Sequence, residues 1–254
     1  MKLIGKEVNL DGIDCHIHSR FSVDALRAGA ASPDEIANTV RSHGLRGFIV
    51  TDHLDIGHWP SIDTSRFNEY FDVWNEVRDK NPDLTIYIGM EVGFEKETAE
   101  QAAELIQSLP LEYVINSVHY WKWLDENDNG RVSVFAGYLQ CVLASLDAPY
   151  SFTTIGHLGF PERYVKYPIG EREMEYKLFK PLMDEIIEKT VERGIRFEEN
   201  TNAGGVMRLP RADFLRAYKK AGGMRPVIGS DAHKSDEIGQ HFGVATKFLD
   251  KIFQ

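Results

Sequence analysis

Histidines and carboxylates recur in this sequence at the ends of short apolar runs, and those residue types in that arrangement are the chemistry of a metal site. The first run closes on Asp14-Cys15-His16-Ile17-His18. Residues i and i+2 of an extended strand share a face, so His16 and His18 can grip one ion together. Neutral imidazole is the commonest protein ligand for transition metals. A lone His-x-His arises by chance on many surface strands, so its weight depends on partners elsewhere. Asp24 follows in the next loop, and five further runs end in Thr51-Asp52-His53, Gly89-Met90-Glu91, Ser117-Val118-His119, Gly156-His157 and Gly229-Ser230-Asp231-Ala232-His233. Seven of the nine histidines lie in or just after such a run or its turn, counting His58 in a loop. A single histidine is more often a satisfied core or surface residue. Six at equivalent places, with three carboxylates, are a constellation.

The elements that must position these residues alternate. Runs rich in Ile, Val, Phe and Tyr predict strands over Ile13–His18, Gly47–Asp52, Thr85–Glu91, Tyr113–His119, Phe152–His157, Ile195–Asn200 and Pro226–Ser230. They are nearly continuous in apolar residues, as strands covered by helices should be. Ser32-Pro33-Asp34-Glu35 predicts a capped helix start, with Gly44 stopping that helix after His43. Further helices are expected over Glu97–Ser108, Val132–Leu146, Glu171–Arg193 (stopped by Gly194) and Arg211–Lys220. Successive β-then-α units imply parallel strands with right-handed crossovers. A closed barrel is favoured over an open sheet, because all its C-terminal strand ends meet at one mouth. The first strand is also followed by no Gly-rich phosphate loop. Cys15 alternates with the histidines and is expected to face away from them, against a helix.

The 254 residues fit one domain spanning 1–254, since a single α/β barrel takes ~250. No repeat, low-complexity segment or linker divides them. Cys15 and Cys141 make no disulfide framework and fit a reducing compartment. No signal peptide and no membrane span is read, so a cytoplasmic location is expected. The formal charge of −10 argues against nucleic acid as a main partner. It does not bear on small anions, because bound cations set the local charge of a site.

Together the six motifs resemble those of the polymerase-and-histidinol-phosphatase (PHP) domain family, within it the histidinol-phosphatase branch, over nearly the whole chain. The resemblance implies a distorted (β/α)7 TIM-like barrel with its site at the C-terminal strand ends, in line with seven predicted strands. It implies three divalent ions. His16, His18, Glu91 and Asp231 resemble the ligands of the first; Glu91 bridges to a second completed by His119 and His157. Asp24, His53 and His233 resemble the ligands of the third, and aspartate at position 24, where many relatives have histidine, resembles the histidinol-phosphatase branch. Of the nine, Glu91, Asp231 and His233 are also assigned to catalysis. The mixed nitrogen and oxygen set suits Mn, Zn or Fe without choosing among them.

What the resemblance implies chemically is a metal-dependent phosphomonoesterase. The favoured substrate is L-histidinol phosphate, which places the chain in histidine biosynthesis, with a metal-bridging hydroxide as nucleophile. Another small phosphate ester, such as a nucleotide or sugar phosphate, is the alternative. An amidohydrolase is disfavoured because no strand end carries a bridging lysine, and a silent metal-binding module because the chain keeps all nine ligands. Arg163, Arg208 and, ranked lower, Arg20 are the candidate phosphate binders, bidentate recognition suiting arginine; the reading of Arg163 and Arg208 as solvated surface residues stays open. Residues are inserted before Arg208 relative to the family's usual run. Asp14 and Asp52 are expected to orient histidines from behind. Glu198 could line the mouth or satisfy the rim, and Trp121 and Trp123 could wall the pocket. His43 is read as structural, and His58 and His241 as solvated. Oligomeric state and the general acid are not legible.

Overall fold

Short β-branched and aromatic runs become strands here because helices cover their outer faces, so both faces must be apolar. A computed structural model describes residues 4, 8–57, 61–119, 130–165, 171, 173–202 and 209–254. Its strands are β1 (Ile13–Ile17), β2 (Gly47–Val50), β3 (His53–Leu54), β4 (Thr85–Gly93), β5 (Tyr113–Ser117), β6 (Thr154–Ile155), β7 (Arg196–Asn200) and β8 (Val227–Gly229). They pair in parallel in the order β1-β2-β4-β5-β6-β7-β8, and β3 pairs with β4. β2 lies along Thr85–Ile88 and β3 along Glu91–Val92 of the same strand, so they are two pieces of one barrel stave. The ring closes where His18 N donates to Ala232 O at 2.9 Å and Asp231 N to His16 O at 2.8 Å. This is the expected seven-stave barrel, nearly closed.

The helices are α1 (Val23–Ala28), α2 (Pro33–Ser42), α3 (Phe67–Lys80), α4 (Ala99–Ser108), α5 (Gly130–Ser145), α6 (Lys180–Arg193), α7 (Ala212–Lys220) and α8 (Phe242–Phe253). The capping box at Ser32 forms with both of its hydrogen bonds, and Gly194 ends α6 in the left-handed region, as expected. Three helices escaped the sequence reading. In α3 the apolar stripe Phe67, Tyr70, Phe71, Trp74 and Val77 faces the core at helical spacing, and α8 repeats the pattern with Phe242, Ala245, Leu249 and Ile252. The expected helix over Glu171–Arg193 begins only at Lys180, where Pro181 occupies the first turn that proline tolerates. The expected strand Phe152–His157 shrinks to Thr154–Ile155.

Two apolar shells separate the sheet from the helices. One joins Ile17, Phe48, Val50, Ile86 and Ile88 to α2, α3 and α4; the other joins Val118, Ile155 and Phe197 to α5, α6, α7 and α8. A third cluster, Leu10, Ile13, Cys15, Ile49, Tyr113, Ile115 and Val227, fills the barrel interior below the strand tips. Cys15 therefore points into the barrel rather than at a helix. The cause is a register shift: Ile13 and Asp14 pair with Gly47 and Phe48, but Ile17 pairs with Val50. One extra residue of β1 is accommodated opposite Ile49, and such a bulge re-aims side chains beside a site. Simple alternation fails there, and Cys15 and His16 both face inward.

The outer shell should carry most of the stability. Trp74 is fully buried and packs edge-on against Phe48 with ring centroids 5.8 Å apart. Trp74→Ala is expected to lower unfolding free energy by about 3–5 kcal/mol in urea titrations, leaving the strand-tip residues in place.

Candidate metal centre

Each C-terminal strand tip delivers one or two polar side chains into the barrel mouth: His16 on β1 and His18 just past it, His53 on β3, Glu91 on β4, His119 past β5, His157 past β6, Glu198 and Asn200 on β7, Asp231 past β8. Glu91 lies at the centre and is fully buried. Its Oε2 faces His16 Nε2 at 3.2 Å and His18 Nε2 at 3.4 Å, and its Oε1 faces His119 Nε2 at 3.1 Å and His157 Nε2 at 2.7 Å. Asp231 Oδ1 completes the first group, 3.3 Å from His18 Nε2. Asp24 Oδ2 lies 3.3 Å from His53 Nε2 and 3.0 Å from His233 Nε2, forming a third group nearer solvent. The nine residues expected as ligands are thus brought together in three groups sharing one mouth.

Their hydrogen bonds aim the lone pairs inward. His16 Nδ1 meets Glu198 Oε1 at 2.7 Å, His119 Nδ1 meets Asp55 Oδ1 at 2.8 Å, and His233 Nδ1 meets the Asp231 carbonyl at 3.0 Å. His18 Nδ1 lies 3.3 Å from Ser22 Oγ, whose own proton goes to Asp52. With the proton on Nδ1, each ring presents a bare Nε2 to the centre. His16 Nε2 and His18 Nε2 then stand 3.0 Å apart, two lone pairs facing each other. Glu91 Oε2 is buried with no hydrogen-bond partner among the described residues. A buried carboxylate oxygen facing the bare Nε2 atoms of His16 and His18, with His53 Nδ1 3.1 Å away, is costly unless a cation sits among them. The donor set fits divalent transition metals.

The carboxylates act strongly on the rings. Against burial, which lowers them, Glu198 and Glu91 raise His16 and Glu91 raises His53 well above the ordinary imidazole range. Likewise Asp55 and Glu91 push His119 up to about 10, and Asp24 raises His233, so these rings attract protons where no cation balances the carboxylates. Burial pushes the Glu91 carboxyl up, yet the imidazoles of His16, His119 and His53 hold it well below the usual carboxylate range. Burial acts likewise on Asp231, which His16, His18 and Arg163 hold well down. Burial pushes His18 well down and His157 down as well, favouring the neutral, ligating form. Backbone strain gathers at the same place: His157 (φ 22°) and Asp231 (φ 52°) are two of three non-glycine residues with positive φ among the described residues.

The other expected residues divide. Arg163 is at the site: its side chain is 13% exposed, Nη1 donates to Asp231 Oδ2 at 2.9 Å and Nη2 to Asn200 Oδ1 at 2.5 Å. Arg20 turns instead toward Glu69, 3.5 Å away and on α3, with its guanidinium over the Phe21 ring. Arg208, His58, Trp121 and Trp123 lie outside the described residues. Among the described residues, Asp14 and Asp52 meet no imidazole nitrogen directly. Asp14 accepts from the backbone N–H groups of Ser230 and Gly239, holding the β8 tip, while Asp52 accepts four hydrogen bonds from Ser19 and Ser22. Glu198 is an orienting group, binding His16 through Oε1 and the His157 backbone N–H through Oε2. It fits because position 229 is glycine; a Cβ there would lie 2.0 Å from Glu198 Oε1. Asp55 was missed altogether. Its signal was only a carboxylate two residues past His53.

The model of the PHP domain matches residues 14–202. The histidinol-phosphatase of Lactococcus lactis subsp. lactis is 28% identical over 250 residues, covering 90% of this chain and 87% of its own. A probable histidinol-phosphatase of Clostridium acetobutylicum is 27% identical over 252 residues, covering 93% and 92%. In fold, the chain resembles the crystal structure of histidinol phosphate phosphatase from Lactococcus lactis, solved with zinc, L-histidinol and phosphate. The TM-score is 0.79 at 21% identity, covering 95% of this chain and 92% of that one. The putative histidinol phosphatase of Listeria monocytogenes gives a TM-score of 0.78 at 16% identity, covering 91% and 99%. With the strand-tip motifs, the three ligand groups and a family match over most of its length, the chain belongs to the PHP domain family.

Proposed function

We propose that this chain is a metal-dependent phosphomonoesterase whose substrate is L-histidinol phosphate, released as histidinol and phosphate. The observation that carries the reading is the division of Glu91, one oxygen facing His16 and His18 and the other facing His119 and His157. A carboxylate so shared is the bridge a two-metal hydrolytic site requires. His16, His18, Glu91 and Asp231 would hold one ion, Glu91, His119 and His157 a second, and Asp24, His53 and His233 a third. When bound, such ions supply a water-derived nucleophile at neutral pH and neutralise phosphoryl charge. Mn, Zn and Fe all suit the donors.

The remaining residues orient the ester. The Arg163 guanidinium stands beside Asp231, where its fork can receive phosphoryl oxygens in bidentate fashion. Phe160, with its ring 4.8 Å from His157, and the 58% exposed Tyr164, with its ring 4.9 Å from Phe160, form an aromatic wall on the same turn. A flat, weakly basic ring such as the substrate's imidazole is the group such a wall would stack. The likeness in name of the relatives supports this choice over a nucleotide or sugar phosphate.

Purified with Mn²⁺, the chain should release phosphate from L-histidinol phosphate at least tenfold faster than from a panel of sugar and nucleotide monophosphates. Equal slow rates across the panel would reject the substrate, and no release from any ester would reject the reaction. Chelation should abolish turnover, and His16→Ala should lose bound metal and activity together while far-UV circular dichroism is unchanged. Arg163→Ala is expected to lower kcat/KM by roughly 10²–10³-fold, as loss of a preorganised charge donor does, with bound metal retained. Hydrolysis in ¹⁸O-water should label the phosphate and leave the histidinol unlabelled; label in histidinol would mean that carbon–oxygen cleavage occurs instead.

A further inference from the structure

We propose that Asp55 is a positioning residue that couples two of the ion groups; this rests on the metal-dependent reading above. Asp55 follows β3 and is buried at 1% exposure. Its Oδ1 takes the Nδ1 proton of His119 at 2.8 Å, which turns His119 Nε2 toward Glu91. Its Oδ2 lies 3.3 Å from His53 Nδ1, and His53 Nε2 points the other way, toward Asp24. One carboxylate thus stands behind two imidazoles that belong to different groups.

Two further observations support the assignment. His53 Nδ1 and Asp55 Oδ2 are both buried and neither has a hydrogen-bond partner among the described residues, so the 3.3 Å contact brings together two otherwise unsatisfied atoms without closing into a hydrogen bond. Glu91 Oε2 also approaches His53 Nδ1, at 3.1 Å, but that oxygen is the one that faces His16 and His18. Once Glu91 is engaged by cations, Asp55 is the acceptor left for the His53 proton. Secondly, the space for Asp55 is built in. A Cβ on Gly93 would fall 1.7 Å from Asp55 Oδ1 and 3.1 Å from His119 Nδ1. Only glycine at that place in β4 lets the carboxylate reach the ring.

A carboxylate that fixes the tautomer and direction of a ligating imidazole typically contributes 10–100-fold in metal affinity. Because Asp55 serves two rings, its loss should weaken two ions at once and spare the one gripped by His16 and His18.

The test measures Mn²⁺ per chain by elemental mass spectrometry across a series of chelator-buffered free concentrations. Asp55→Asn should lose two ions together, each weakened about 10–100-fold, retain one, and recover turnover in excess Mn²⁺. Gly93→Ala, with Asp55 intact but displaced, should do the same. Imidazole ¹⁵N spectra of the wild-type chain should place the proton on Nδ1 of both His53 and His119, a readout that needs no variant to fold. An Nε2 proton on either ring overturns the role. So does Asp55→Asn holding the wild-type number of ions at the same free metal, or losing a single ion while the others stay, which would make Asp55 a ligand. A wild-type chain that holds no ion overturns the metal-dependent reading and this role with it.

Discussion

The Glu91 carboxylate, buried at the centre of a barrel, is the constraint on which the rest of the mouth depends. A carboxylate removed from water at this depth is tolerable only when positive charge or strong donors surround it. Ser117 Oγ donates one hydrogen bond at 2.7 Å to Oε1. Among the described residues its other close polar neighbours are imidazole nitrogens, and most rings at the mouth are aimed by partners standing behind them, though His157 Nδ1 has none. Glu198, Asp55 and the Asp231 carbonyl each take an Nδ1 proton, and Ser22, backed by Asp52, stands behind His18. The result is a set of bare nitrogens and carboxylate oxygens with too little positive charge among them. Divalent cations resolve that imbalance.

Such a mouth contributes little to stability, because desolvation of buried ionisable groups consumes most of their mutual attraction. Stability must come from elsewhere, and the layering shows where. Below the strand tips the interior is apolar, with Ile13, Cys15, Ile49, Tyr113, Ile115 and Val227 in contact. Outside, the two helix-to-sheet shells hold the large buried rings, including Trp74, Tyr70, Phe197 and Phe214. The barrel can therefore carry strained residues at His157 and Asp231 without losing its fold.

This separation also explains what was legible in the sequence. Strand tips could be read because a helix-covered strand is a continuous apolar run, and a polar residue at its end is conspicuous. His16, His53, Glu91, His119, His157 and Asp231 all announced themselves in that way. The bulge in β1 did not, because it is a property of the register against β2 and not of β1 alone; alternation then placed Cys15 on the wrong face. Asp55 and Glu198 were obscure for a related reason. Each acts through a glycine on a neighbouring strand, Gly93 or Gly229, that is distant in sequence. The apolar stripes of α3 and α8 were present but lay between stretches whose chemistry was easier to notice.

In the proposed reading, Asp231 would hold substrate and ions in one frame. Its Oδ1 faces His18 Nε2 at 3.3 Å, while its Oδ2 receives Arg163 Nη1 at 2.9 Å. The left-handed backbone at this residue, φ 52°, is the local cost of presenting both oxygens in those two directions. Asn200, bonded to Arg163 Nη2 at 2.5 Å, fixes the other arm of the guanidinium from β7. Arg163 is therefore located by rigid strand ends, although it sits on a turn. Groups that bind the reacting phosphoryl must keep their distance from the ions to within fractions of an ångström, and here that distance is set by β7 and the β8 tip. Phe160 lies on the same turn, its ring 5.5 Å from the Arg163 guanidinium, so the aromatic wall and the arginine are set by one backbone segment whose charged end is pinned by β7 and the β8 tip.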